Sequence, residues 1–172
     1  MADKLDDNFL EHINENLGIA HKVCRIYFQD ADKRADVLQE MMYQLWRSYP
    51  RFDARSKFST WMYKVCLNTA LTWKRNNKRK KTEPLSLAYH QIPADASENK
   101  DEAINLLFDA IAKLSPLNKA IILLYLEGMS YEEIASVTGL SRTNVSVKLV
   151  RIKKELETEL KKKIKSINDV NT

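Results

Sequence analysis

The sequence predicts an all-α protein, with two small helical domains joined by a flexible linker and a helix-turn-helix in the second. Three observations predict it. Apolar residues recur at spacings of three and four along most of the chain. Three Gly and four Pro are few for a sandwich or barrel built on many tight turns. Residues 82–101 lose all periodicity and carry Pro84 and Pro93 among small polar residues, as linkers do. Of 172 residues 44% are apolar, enough core for one domain or two small ones. No apolar run is long enough to span a membrane, and Met1–Asn8 is acidic with no apolar signal core. Cys24 and Cys66 are too isolated for a disulfide framework or a zinc site, and His12, His21 and His90 are scattered. A reducing cytoplasm, no metal and no cofactor are expected.

The first strong helix is marked by Val37, Met41 and Leu45, with Leu38, Met42 and Trp46 one step later. Together they form an apolar stripe, which leaves Asp36, Gln39, Glu40 and Tyr43 on the other side. Pro50 ends this helix, and 50–58 read as a loop. Ser59 is expected to cap the next helix, running to about Lys78. That helix is apolar nearly all round, through Trp61, Met62, Val65, Cys66, Leu67, Ala70, Leu71 and Trp73. Its polar residues Lys64, Asn68, Thr72, Arg75 and Arg79 fall on a single face. For Trp61 and Trp73, core packing is favoured over stacking on bases. After the linker, Ile104, Leu107, Phe108, Ile111 and Leu114 open a new pattern; Pro116 breaks it and Ile121 to Leu126 resume it. The expected domains are 1–81 and 102–172, with 82–101 between them.

Charge follows the same divisions. Residues 1–46 carry net −4, residues 47–81 net +10, residues 82–101 net −3 and residues 148–165 net +5. Two positive blocks separated by negative ones suggest two contacts with a polyanion, against the plainer alternative of solvated helix ends.

Residues 128–141, GMSYEEIASVTGLS, hold the densest local grammar. Ser130 and Glu133 spell a capping box, and Met129 and Ile134 occupy the staple positions around it. Gly139 supplies a left-handed residue after a short helix, and Ser141 caps the next. This is helix, glycine turn, helix. In the second helix Val145, Leu149, Ile152 and Leu156 face inward. Thr143, Asn144, Val147, Lys148, Arg151 and Lys154 point outward from a start at Arg142. Such a set suits a major groove: Asn for adenine edges, Lys and Arg for guanine or phosphate, Val for a thymine methyl. The Lys153–Lys154 end is expected nearer phosphate.

With these residues in view, the chain resembles bacterial RNA polymerase sigma factors of the small extracytoplasmic-function (ECF) group. The segment 36–46, DVLQEMMYQLW, resembles the family's core-polymerase-binding helix. The segment 58–70, FSTWMYKVCLNTA, resembles its −10-reading and melting helix, and 128–156 resembles its −35-reading helix-turn-helix. The resemblance implies that Asp36, Gln39, Glu40 and Tyr43 face the polymerase clamp helices, with the flap a further polymerase contact. It implies that Asn68 helps hold a flipped −10 base in a pocket shaped by Phe52 and the 53–59 loop. Arg55, Lys57, Ser59, Lys64, Thr72, Arg75 and Arg79 join that −10 surface, and physically the basic stripe would hold single-strand phosphates. Arg142, Thr143, Asn144, Val147, Lys148, Arg151 and Lys154 would meet duplex DNA at −35. Asn144 and Val147 stand where many relatives carry other residues, so the resemblance implies no particular −35 sequence. The short middle stretch and the lack of a long acidic extension fit the ECF group. They imply control from outside the chain, in this family often by a separate anti-sigma protein.

The expectation is therefore a cytoplasmic, bacterial promoter-specificity subunit that is not an enzyme. Its partners are core RNA polymerase and promoter DNA, with no membrane insertion. A free-standing helix-turn-helix regulator on operator DNA is the alternative, and it leaves 36–81 without a role. No Gly-rich phosphate loop, zinc spacing or Ser/His/Asp arrangement supports an enzyme. Cys24 and Cys66 are read as buried, inert thiols.

Overall fold

The computed structural model describes residues 2–80 and 102–170, with side chains from 7 to 78 and from 102 to 169. All regular structure among them is helical: α1 (Ala2–Tyr27), α2 (Ala31–Ser48), a 3-10 turn (Tyr49–Arg51), α3 (Phe58–Lys80), α4 (Glu102–Ala112), α5 (Pro116–Leu126), α6 (Tyr131–Thr138) and α7 (Arg142–Val170). The chain divides into two compact units, one built on α1–α3 and one on α4–α7. The expected linker at 82–101 and the side chain of Arg79 lie outside the described residues.

In the first unit, α3 packs against both α1 and α2. Helix α2 starts where it does because the Asp30 carboxylate accepts from the backbone N–H of Asp32 at 2.9 Å, satisfying a donor the first turn leaves free. Val37, Met41 and Leu45 are buried, with Leu38 and Met42 half-buried beside them. Trp46 departs from the expected stripe: it is 56% exposed. It lies at the outer edge of the stripe, turned about 100° round the helix from the fully buried Leu45. Ser59 is not a cap either. It is the second residue of α3, and the Lys57 carbonyl accepts the first helical bond, from Trp61 N–H at 3.1 Å. Helix α1, which no sequence motif announced, contributes Phe9, Ile13, Ala20, Val23, Cys24 and Tyr27 to the core.

In the second unit, α7 packs against α4, α5 and α6. Pro116 ends the α4 pattern by starting α5, where its missing N–H costs nothing, and Ser115 caps it through Asn118 N–H. Ile121, Ile122, Leu123 and Leu124 are all buried, so α5 is the central strut of this unit. Ile104 and Leu126, expected in the apolar pattern, are 44% and 52% exposed near helix ends.

Candidate nucleic-acid interface

Helix α3 has the two faces its sequence predicts. Met62, Tyr63, Cys66, Leu67 and Ala70 are buried, while Lys64, Asn68, Thr72 and Arg75 are exposed along one line. Asn68 opens onto a groove of about 580 Å³ between α2 and α3. Thr72, Asn76 and Trp73 line it from α3, and Glu40, Gln44 and Ser48 from α2. The lining is rich in amides and hydroxyls. The Trp73 indole N–H is buried there without a partner, and Gln44 donates to the Glu40 carboxylate at 2.7 Å. Lys74 is turned away from the basic stripe. Its ammonium lies 5.6 and 5.7 Å from the ring centres of Tyr27 and Phe28. Burial first, and then Lys78, pull its pKa down.

Phe52 does not share the groove with Asn68. It belongs to an aromatic cluster with Tyr49, Phe58 and Trp61, its ring centre 5.2 Å from that of Trp61 and 5.5 Å from that of Phe58. His12 extends the cluster, stacked on Phe58 at 4.9 Å and with Nδ1 3.0 Å from the Tyr49 hydroxyl. Edge and tilted contacts of this kind fix ring positions, so the cluster is a rigid base for the 53–57 loop. Trp61, half-buried in the cluster, is a packing residue, as is Trp73 against the groove wall. On the loop, Lys57 is exposed, and Arg55 is paired with Asp53 at 2.8 Å in full view of solvent. Ala54 holds φ 56°, a left-handed conformation that a Cβ disfavours.

On α2, Asp36, Gln39 and Tyr43 are exposed, as their spacing requires. Glu40 is half-buried on the groove side, held by Gln44. The sequence reading missed Trp46. Its exposure places it on the ridge of Gln39 and Tyr43, at i+7 and i+3, and that spacing was the available signal.

The helix-turn-helix is present bond for bond. Glu133 N–H donates to Ser130 Oγ at 3.1 Å, and Ser130 N–H donates to the Glu133 carboxylate at 2.8 Å. Gly139 sits at φ 75°, and Ser141 Oγ accepts from Asn144 N–H at 3.2 Å. Val145, Leu149, Ile152 and Leu156 are buried. Thr143, Asn144, Val147, Arg151 and Lys154 are exposed; Lys148 is half-buried at the flank, nearer the core than expected. Arg142 pairs with Glu132 of α6. The backbone N–H of Glu132 first, and then the Arg142 side chain, hold that carboxyl below the usual range. Lys153, at the end expected nearer phosphate, is exposed and has a partner within the chain. It donates to the Tyr125 hydroxyl at 2.9 Å, which raises its pKa. Val150 is the residue the sequence reading passed over: it is 68% exposed on this face.

Comparison with known proteins matches both units. Residues 12–80 match the family described as sigma-70 region 2, and residues 104–156 match sigma-70 region 4. The chain is 30% identical over 138 residues to the ECF RNA polymerase sigma-E factor of Haemophilus influenzae, covering 73% of each. It is 26% identical over 157 residues to the ECF RNA polymerase sigma factor SigW of Bacillus subtilis, covering 82% of each. Among solved structures it shares a fold with the sigma factor RpoE of Bartonella quintana, determined with the anti-sigma factor NepR. There the TM-score is 0.71 at 22% identity, over 90% of this chain and 97% of that one. A second is CnrH in complex with the cytosolic domain of CnrY, with a TM-score of 0.64 at 19% identity, over 91% and 89%.

Proposed function

The chain belongs to the ECF sigma factors of RNA polymerase, and from that premise we propose how its residues divide the work of promoter selection. It is a promoter-specificity factor. Residues 1–81 dock on core polymerase through the exposed ridge of α2, formed by Asp36, Gln39, Tyr43 and Trp46, with Glu40 at its flank. Asn68 takes part in capturing an unpaired −10 base, and Lys64, Thr72, Arg75 and Arg79 hold the strand's backbone. The 52–59 loop, with Arg55, Lys57 and Ser59, borders that surface. Capture of the single strand offsets the cost of unpairing, so binding and melting are one event without covalent chemistry. Residues 102–172 dock the start of α7 in the −35 major groove through Arg142, Thr143, Asn144, Val147, Lys148, Arg151 and Lys154. The 82–101 stretch serves as a tether that makes the second contact intramolecular. The setting is the bacterial cytoplasm, and the further partner this reading allows is an anti-sigma protein, such as the one bound to the Bartonella quintana relative.

One observation carries this reading: a single chain holds both the polar-basic line on α3 and a fully capped helix-turn-helix with a basic outer face. A free-standing regulator would use only the second. The test is Arg151→Ala, assayed for promoter-dependent transcription and for co-elution with core polymerase. Transcription should fall while co-elution persists; equal loss of both overturns the division of labour.

A further inference from the structure

The outer face of α7 is not simply basic. Thr143, Val147 and Val150 follow one another at spacings of four and three, and all three are exposed. Val147 is 45% exposed and Val150 68%, the latter more than any other large apolar side chain in the described residues. They add nothing to the core, which Val145, Leu149, Ile152 and Leu156 already fill from the opposite side. Nor do β-branched residues favour the helix itself. Around this ridge the chemistry is cationic: from 142 to 154 the helix carries Arg142, Lys148, Arg151, Lys153 and Lys154 and no acidic residue. Arg151 and Lys154 are exposed beside the valines. A methyl-bearing ridge framed by cations matches a major groove, where phosphates line the walls and the thymine C5-methyl is the apolar group on the floor.

We propose that Val150, together with Val147 and Thr143, reads thymine methyl groups in the −35 element. This rests on the sigma-factor reading and adds Val150, and with it a continuous ridge, to the residues that select a base. Seven residues of helix cover about 10 Å, the rise of about three base pairs, so the ridge spans a short tract of consecutive positions. Valine has no hydrogen-bonding group. It separates thymine from cytosine by the methyl alone and tolerates either strand orientation that brings a methyl under it.

The experiment uses the full chain with core polymerase. A −35 element is selected from a randomised library by transcription. Each selected thymine is then replaced by deoxyuridine, which removes only the methyl. At the thymines under the ridge, promoter output should fall about four-fold. The loss should vanish in the variant, Val147→Ala or Val150→Ala, whose valine faced that methyl. Alanine is the better helix former, so these exposed substitutions preserve α7, which circular dichroism checks. Neutral deoxyuridine at every thymine, or the same loss in wild type and both variants, overturns the proposal. So does unchanged output in both variants, which would assign the ridge to a protein partner. Failure of the chain to co-elute with core polymerase would instead overturn the sigma-factor reading, and the proposal with it.

Discussion

The ammonium of Lys153 stands 4.0 Å over the centre of the Tyr125 ring and donates to its hydroxyl, tying α7 to the end of α5. Its neighbour Lys154 has no such tie within α5 and projects from the exposed face. Both side chains are exposed; they differ in that Lys153 is engaged by a ring of another helix.

That difference is measurable through salt. Each phosphate contact removed lowers the slope of log affinity against log salt by about one. Lys154→Met should lower the slope for −35 duplex binding by about that amount. Lys153→Met should leave the slope nearly unchanged. Tyr125→Phe should likewise spare the slope, because it removes only the hydroxyl acceptor. Equal slope losses for the two lysines would return Lys153 to the phosphate surface.

The turn between α6 and α7 gives a stability prediction. An added Cβ at Gly139 meets nothing within 4 Å, so the cost of Gly139→Ala is that of the backbone at φ 75°. That cost is about 1–2 kcal/mol. Ser130→Ala removes one half of the capping box and should cost about 1 kcal/mol. Both should lower the urea midpoint of the unit that contains α6 and α7, and Gly139→Asn should cost less than Gly139→Ala. An unchanged midpoint for Gly139→Ala would mean that the turn relaxes to another conformation.

What was legible in the sequence was whatever local chemistry alone decides. The Ser130–Glu133 box, Gly139 and Ser141 each announce themselves within three residues, and each forms as expected. Periodicity also sufficed for the polar line of Lys64, Asn68, Thr72 and Arg75. It failed at edges. Trp46 follows the apolar stripe in sequence yet lies outside it, because it projects about 100° round the helix from the fully buried Leu45. Where Phe52 goes is decided by packing among Tyr49, Phe58 and Trp61, which leaves no periodic signal. Lys153 reads as a free cation until the Tyr125 ring of another helix is placed beneath it, and nothing local announces that Lys74 lies over Tyr27. Long-range partners of this kind leave no periodic trace.

The two cysteines give a pH prediction. Both are buried; burial pushes the Cys24 thiol from 9.0 up to about 11 and the Cys66 thiol up to about 12. The folded chain therefore keeps both protons at pH values where the unfolded chain has lost them. Their contribution to stability is whole below about pH 9 and is lost as pH rises through 11 to 12. Urea midpoints should fall above pH 9, and Cys66→Ser should change that fall. At pH 8, iodoacetamide should modify neither thiol until the chain unfolds. Fast modification of the native chain would show that Cys24 or Cys66 is reached from solvent.

The α2 ridge gives the last prediction, one that separates apolar from charged docking. Trp46 and Tyr43 are 56% and 50% exposed, three residues apart, with Gln39 in line. An exposed Trp that serves no core is the kind of residue that anchors an interface, and its loss costs about tenfold or more in affinity. Trp46→Ala should weaken binding to core polymerase by that much at low and moderate salt alike, with the helical content of the free chain unchanged. Glu40→Lys should also weaken binding, but its effect should shrink as salt rises, because it acts through charge at the ridge's flank. Titration of labelled chain with core polymerase at two salt concentrations reads both. If Trp46→Ala binds as tightly as wild type, the ring is not at the interface and docking through this ridge is wrong; if its loss is salt-dependent, the contact is electrostatic in origin and the apolar anchor is wrong.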